Sequence, residues 1–319
     1  MDVDESTVGR TPLVALDLDV APTVYGKVEW LNFHALPYGG GSVKSRVALS
    51  MLDAAERAGD LDDHTVLEPS SGNTGLALTR IAASRGYDAE IVSYEGASDT
   101  KLDAIREAGG RVRLVDAYED MLPETDRLLE EGEYYRPNQY ANPANPAAHE
   151  LGTGPEIWNQ TDGRVTHFVA GVGSGGTVTG VGRALAPHDV TITGYEPAAP
   201  AHAIDGLKYV RGPRHHVPEI YDTDVLDARI SVSTRDAYEW VHGLRDRYAD
   251  RQLRIEDTGQ YDESLVREHL RADGDFLVGP SGGGVAAAVS ELDATGAFRD
   301  DDVVVVPLPD RGDRYPGFP

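Results

Sequence analysis

Short apolar runs alternate with amphipathic stretches along most of the chain. HTVLEP (64–69) precedes NTGLALTRIAASRG (73–86), and AEIVSY (89–94) precedes DTKLDAIREAGG (99–110). RVRLVD (111–116) precedes YEDMLPETDRLLEEG (118–132). Further on, THFVAG (166–171) precedes TVTGVGRALA (177–186), and VTITGYEP (190–197) follows. FLVGP (276–280) precedes GVAAAVSELDATG (284–296), and DVVVVPLP (302–309) closes the series. A strand followed by a helix, repeated, predicts an α/β protein with mostly parallel sheets. Such sheets bind ligands at the carboxyl ends of their strands, where the glycine-rich segments of this chain fall.

Two stretches break the pattern. YANPANPAAHELGTGPE (140–156) is rich in Pro, Asn and Gly and reads as a connection between domains that leads into a helix. Residues 200–227 carry no clear period, and a loop of that length in a compact domain is usually functional or disordered.

The chain has 319 residues, enough for two domains with sizeable cores. No run approaches 18 apolar residues, so no membrane-spanning helix is expected. The acidic start, MDVDESTVGRTPL, does not read as a signal peptide, and a cytoplasmic location is expected. There is no cysteine, which excludes disulfides, thiolate metal sites and a thiol nucleophile. His215 and His216 are the one close histidine pair; they read as an exposed loop, and no metal is expected. The net charge is −25, spread along the chain. Nucleic acid is therefore an unsuitable partner, because phosphate contacts need a basic surface. Few lysines among many Asp and Glu suggest adaptation to high salt, where screening relieves self-repulsion.

Lysine is rare here. Lys27, Lys44, Lys101 and Lys208 are the only four, and arginine supplies nearly all other positive charge. Lys44 follows a run of small residues, GGGSV, and precedes a helical pattern. An amine can form an imine, whereas a guanidinium cannot, so its placement suggests amine chemistry. Three glycine-rich loops accompany it. EPSSGNTGLAL (68–78) lies between a strand and a helix, where backbone N–H groups can hold a carboxylate. Its plainer reading is a turn capped by serine or asparagine. GVGSGGTVTG (171–180) can close on a phosphate at a helix N-terminus. It also matches the dinucleotide pattern at Gly171, Gly173 and Gly176, with Glu196 ending the next strand, so a nicotinamide-dependent oxidoreductase competes. GPSGGGVAAAV (279–289) places Ser281 at the end of the apolar run FLV. An amine, a phosphate loop, a carboxylate loop and a hydroxyl for a ring together point to pyridoxal phosphate as cofactor.

As an ordered set, GGSVKSR, SSGNTG, GVGSGGT, GPSGGG and LPDRGDRY resemble the cysteine synthase branch of the tryptophan-synthase-β-like pyridoxal phosphate enzymes. VGRTPLVAL and QYANPANPAAHELGTGPEI add to the likeness, which runs from about residue 8 to 315. It implies two α/β domains, each a mostly parallel twisted sheet flanked by helices: residues 36–145, and residues 1–35 with 146–319. Lys44 would carry the cofactor and move the α-proton. Asn73 would bond the cofactor's ring oxygen, and Gly173, Ser174, Gly175, Gly176 and Thr177 would cradle the phosphate. Ser281 would meet the ring nitrogen. Ser70, Ser71, Thr74 and Gln139 would hold the substrate carboxylate.

The resemblance implies β-replacement on an activated L-serine, with sulfide as nucleophile and L-cysteine as product. A neutral hydroxyl at the ring nitrogen makes the ring a weaker electron sink, which favours prompt loss of a β-leaving group. Thr74 stands where dehydratases and racemases of the superfamily tend to carry histidine. Serine or threonine dehydration and cystathionine formation are the alternatives on the same fold. The leaving group is acetate or phosphate. Lys208, Arg211 and Arg214 form a basic cluster where acid-binding members carry one, with Lys208 and Arg211 as candidate substrate contacts. A homodimer is expected from the family.

Overall fold

The computed structural model describes residues 3–33, 40–62, 64–211 and 217–315. Arg214, His215 and His216 fall outside these residues. Among the described residues, the strands are β1 (Leu13–Leu16), β2 (Thr23–Val28), β3 (Thr65–Pro69), β4 (Ala89–Tyr94), β5 (Arg111–Val115), β6 (Tyr134–Tyr135), β7 (His167–Gly171), β8 (Thr191–Pro197), β9 (Ala228–Val232), β10 (Ile255–Asp257) and β11 (Val303–Leu308). They form two sheets. The smaller, in the order β5-β4-β3-β6, is parallel throughout. The larger has the order β10-β1-β2-β11-β7-β8-β9. There β2, β11, β7, β8 and β9 run parallel, while β1 is antiparallel to both β2 and β10.

The helices are α1 (Val43–Ala58), α2 (Asn73–Ser84), α3 (Asp99–Glu107), α4 (Met121–Leu129), α5 (Ala144–Ala148), α6 (Gly154–Gln160), α7 (Gly176–Leu185), α8 (Thr234–Arg247), α9 (Glu263–His269) and α10 (Pro280–Ala294). Val303, Val304, Val305, Val306 and Leu308 of β11 are all buried. A central parallel strand covered on both faces reads as one continuous apolar run, and this one does. The larger sheet packs against α8 and α10 on one side through Val241, Leu244, Val285 and Val289. On the other it packs against α6 and α7 through Ile157, Val178 and Val181. The smaller sheet is covered by α1 and α2 on one side, where Val47, Met51 and Ile81 meet Val66.

Two expectations change. FLVGP is not a sheet strand. Among the described residues, Val278 makes a single isolated bridge to Arg311, and Ser281 belongs to the first turn of α10. The run is apolar because Phe276 and Val278 enter the core, and burial alone does not distinguish strand from loop. Residues 140–156 are mostly helical: α5, a π turn over His149–Thr153 and α6 form one continuous segment. Pro143 and Pro146 sit at or near the start of this segment, where a missing N–H costs little, and Pro155 lies just after the π turn.

A buried charge network ties α1 to the N-terminal strands. Arg46 bonds Glu29 at 2.7 Å and Glu156 at 2.7 Å, and Lys27 reaches Glu156 at 2.8 Å. Arg46 is two residues from Lys44, so this network also fixes where the lysine begins its helix.

Candidate active site

Lys44 owes its place to a helix cap. The Ser42 hydroxyl accepts from the Lys44 amide at 3.2 Å, and Ser45 returns a bond to the Ser42 amide, giving a capping box. Lys44 is thus held in the first turn of α1, on the wall of a cavity of about 560 Å³. Among the described residues, no hydrogen bond or ion pair engages its Nζ. Burial pushes the ammonium down from its ordinary value, while the carboxylates of Asp310 and Glu29 oppose that. A lowered value favours the neutral amine, the form that attacks an aldehyde.

The loop between β3 and α2 forms the second wall. Ser70, Ser71, Asn73 and Thr74 line the cavity. The Ser70 oxygen accepts from the amides of Gly72 and Gly75 at 3.3 and 3.0 Å, so it caps the loop as well as facing the cavity. Thr74 donates to Gln139 Oε1 at 2.8 Å, which brings two of the four predicted carboxylate contacts together across 65 residues. Glu68 holds Gln139 in turn, accepting from the amides of Asn138 and Gln139 at 2.9 and 3.1 Å.

The loop between β7 and α7 forms the third wall, with Gly173, Ser174, Gly175 and Thr177 at the cavity and Gly176 starting the helix. Gly175 has φ +84°, and a Cβ there would meet Tyr221 at 2.6 Å. Only glycine lets this turn lie so close and aim the first amides of α7 into the cavity. Asn145 braces the loop, donating to Ser174 Oγ at 3.1 Å. His149 Nε2 lies 3.2 Å from Thr177 Oγ1. Burial, with Arg46 and Lys44 nearby, holds His149 neutral.

Ser281 lies in the first turn of α10 and faces the same cavity. Its carbonyl accepts from the hydroxyl of Tyr195 at 2.5 Å. The basic cluster divides. Lys208 lines the cavity, with its ammonium 4.5 Å from the Tyr140 ring centroid. Arg211 does not line it; its guanidinium is ion-paired with Glu196. Glu196 is buried, is also bonded by Arg229 at 3.2 Å, and accepts from the Val210 amide at 3.2 Å. It fastens the loop after β8 and is not free for a ribose.

The arrangement fits pyridoxal phosphate: an unengaged amine, a glycine loop at the start of a helix, and a hydroxyl line one cavity. Cavity residues with no assigned role in the sequence include Lys101, Asp205, Asp310 and Tyr315. Lys101 is one of the four lysines, and Asp310 and Tyr315 lie in the LPDRGDRY motif. Those two signals were present, but neither carried a partner.

An amine, an anion loop and a carboxylate loop at strand ends define a cofactor-dependent α/β enzyme. The match of residues 5–310 to the family described as "Pyridoxal-phosphate dependent enzyme" makes the class specific, and the chain belongs to that family. The chain is 36% identical to cysteine synthase B of Escherichia coli (strain K12), over 99% of this chain and 94% of that one. It is 34% identical to cysteine synthase of Aquifex aeolicus (strain VF5), over 97% of this chain and 88% of that one. Among solved structures, O-ureido-L-serine synthase superposes with a TM-score of 0.79 at 31% identity, covering 98% of this chain and 92% of that one.

Proposed function

We propose that the protein catalyses β-replacement on an activated L-serine, with sulfide as nucleophile and L-cysteine as product. The observation that carries this is the unengaged Lys44 amine, sharing one cavity with the Gly173–Thr177 loop and the neutral hydroxyl of Ser281. The full-length likeness to cysteine synthases supports the reaction type.

When bound, pyridoxal phosphate supplies an aldehyde and an electron-withdrawing ring that acidifies the Cα–H of an amino acid. The chain's own residues do the rest. Amides of Gly173–Thr177, with the hydroxyls of Ser174 and Thr177, would hold the phosphate. Asn73 would donate to the ring oxygen, and Ser281 would offer the ring nitrogen a neutral hydroxyl. Ser71, Thr74 and Gln139 orient the substrate carboxylate, with Ser70 shaping the loop. Lys44 takes the Cα proton onto Nζ, and the leaving group departs from Cβ as acetate or phosphate. Hydrosulfide then forms the Cβ–S bond, and Lys44 returns the proton to Cα. General acid–base work of this kind needs a group whose proton affinity lies near the working pH, and the enclosure of Lys44 moves it that way.

Phosphate as leaving group is favoured to the extent that Lys208 stands at the cavity wall. Arg211 is committed to Glu196 and contributes nothing there. The two lobes, residues 36–145 and residues 1–35 with 146–319, are taken as separate domains with the cavity between them. A homodimer in the cytoplasm follows from the family resemblance, and sedimentation velocity checks the first part. The decisive assay is a panel: sulfide with O-acetylserine, O-phosphoserine or serine, scoring cysteine, with cystathionine and keto-acid formation followed separately. Cysteine from an activated serine supports the reading; keto acid alone reassigns the protein to dehydration.

A further inference from the structure

Asn73 is gripped at both ends by the segment that follows β11. Its Nδ2 donates to Asp310 Oδ2 at 2.6 Å, and its Oδ1 accepts from Arg314 Nη1 at 2.7 Å. A carboxylate only accepts and a guanidinium only donates, so these partners set the amide's orientation without ambiguity. Arg314 occupies one lone pair of the oxygen end, and Nδ2 keeps a second hydrogen to donate.

The same segment reaches the other groups of the site. Arg314 Nη2 donates to the carbonyls of Gly40 and Gly41 at 2.6 and 2.5 Å, just before the helix of Lys44. The Pro309 carbonyl accepts from the Val43 amide at 2.9 Å, next to Lys44 itself. On the opposite side, the Asp310 carbonyl accepts from the Gly279 amide at 3.0 Å, two residues before Ser281. A Cβ on Gly279 would lie 2.0 Å from Asp310 Oδ1, so the carboxylate sits flush against the start of α10. Asp310 and Arg314 are buried, and Tyr315 donates its hydroxyl to Asp310. Three elements distant in sequence are therefore bolted together at one ion-bearing hub.

We propose that Asp310 and Arg314 are positioning residues that fix Asn73 as a hydrogen-bond donor and hold it in register with Lys44 and Ser281. This rests on the pyridoxal phosphate reading above. The consequence is a polarity: with its oxygen end turned to Arg314, Asn73 would meet the ring oxygen as a donor through Nδ2, which favours the deprotonated ring oxygen. Arg314 is suited to the task because its planar fork bonds Asn73 and the glycine carbonyls at once, which a lysine cannot do.

The test uses the full-length protein as Asp310→Asn, Arg314→Lys and Gly279→Ala, with folding checked by circular dichroism. Gly279→Ala is the sharp arm: φ is −68°, so alanine suits the backbone, and its methyl displaces the Asp310 carboxylate without removing it. Each variant is stripped of cofactor, and its dissociation constant for pyridoxal phosphate and the absorbance of the bound form are measured across pH. The proposal expects Asp310→Asn and Gly279→Ala to weaken cofactor binding at least tenfold. Both should shift absorbance toward the shorter-wavelength form with a protonated ring oxygen. It also expects Asp310→Asn to add less in an Asn73→Ala background than in wild type, because part of its action runs through Asn73. If Asp310→Asn and Gly279→Ala fold and match the wild type in constant and spectrum, the proposal is overturned, whatever Arg314→Lys does. If the wild type itself takes up no pyridoxal phosphate, the functional reading falls and the clamp with it. Uptake by the wild type with indistinguishable variants removes the clamp alone.

Discussion

Lys101 on α3 and Asp205 in the loop after β8 form an ion pair in the wall of the cavity. The Lys101 ammonium also lies 4.2 Å from the Tyr315 ring centroid. Lys101 is buried, whereas the Asp205 side chain is about half exposed, so the pair runs from the cavity wall toward solvent. Asp205→Asn is expected to raise KM for the activated serine several-fold and change kcat less than twofold. Steady-state kinetics decide this; an unchanged KM removes the pair from substrate capture.

The buried network below α1 sets an acid limit. Burial raises the Glu156 carboxyl, but Lys27 and Arg46 outweigh it and hold the group well below its ordinary 4.5. A depressed carboxylate contributes stability that is present above the unfolded value and lost as pH falls through the folded one. Glu156→Gln leaves two buried cations short of a partner, which costs about 3 kcal/mol at neutral pH. Denaturant titrations should show that gap at pH 7 and a narrowing gap as pH drops below 4.5.

The net charge of −25 predicts a salt-dependent fold. Screening lengths fall from about 30 Å at 0.01 M to about 3 Å at 1 M. The thermal midpoint should rise with potassium chloride into the molar range. A flat or falling midpoint contradicts the salt adaptation and leaves the catalytic account untouched.

On the proposed reading, Ser281 would meet the ring nitrogen with a hydroxyl and leave it neutral. Ser281→Ala is expected to keep cofactor binding and most activity. Ser281→Asp is expected to protonate the nitrogen and slow loss of the leaving group by tenfold or more, read by stopped-flow absorbance on adding an activated serine without sulfide. Equal rates in the two variants would remove that role.

Local signals were readable in the sequence where chemistry and neighbouring residues coincide. Lys44, the Ser70–Thr74 loop and the Gly173–Thr177 loop each declare themselves within a dozen residues, and all reach one cavity. Strands β3, β4, β5, β7, β8 and β11 were visible as apolar runs. The antiparallel β1 and β10 were not, because strands of 4 and 3 residues carry too few positions for a period. FLVGP misled because a buried loop and a buried strand look alike at five residues. The Asn73 clamp was out of reach, since its partners lie 237 and 241 residues away and no local pattern encodes that distance. Arg211 looked like a substrate contact because Glu196, which neutralises it, lies in a different element.

The central claim is that Lys44 carries pyridoxal phosphate. Borohydride reduction of the holoprotein, followed by peptide mapping, measures this directly. The account predicts one reduced adduct, on the peptide containing Lys44, and none on Lys27, Lys101 or Lys208. An adduct on any of those three, or no adduct at all, would contradict it.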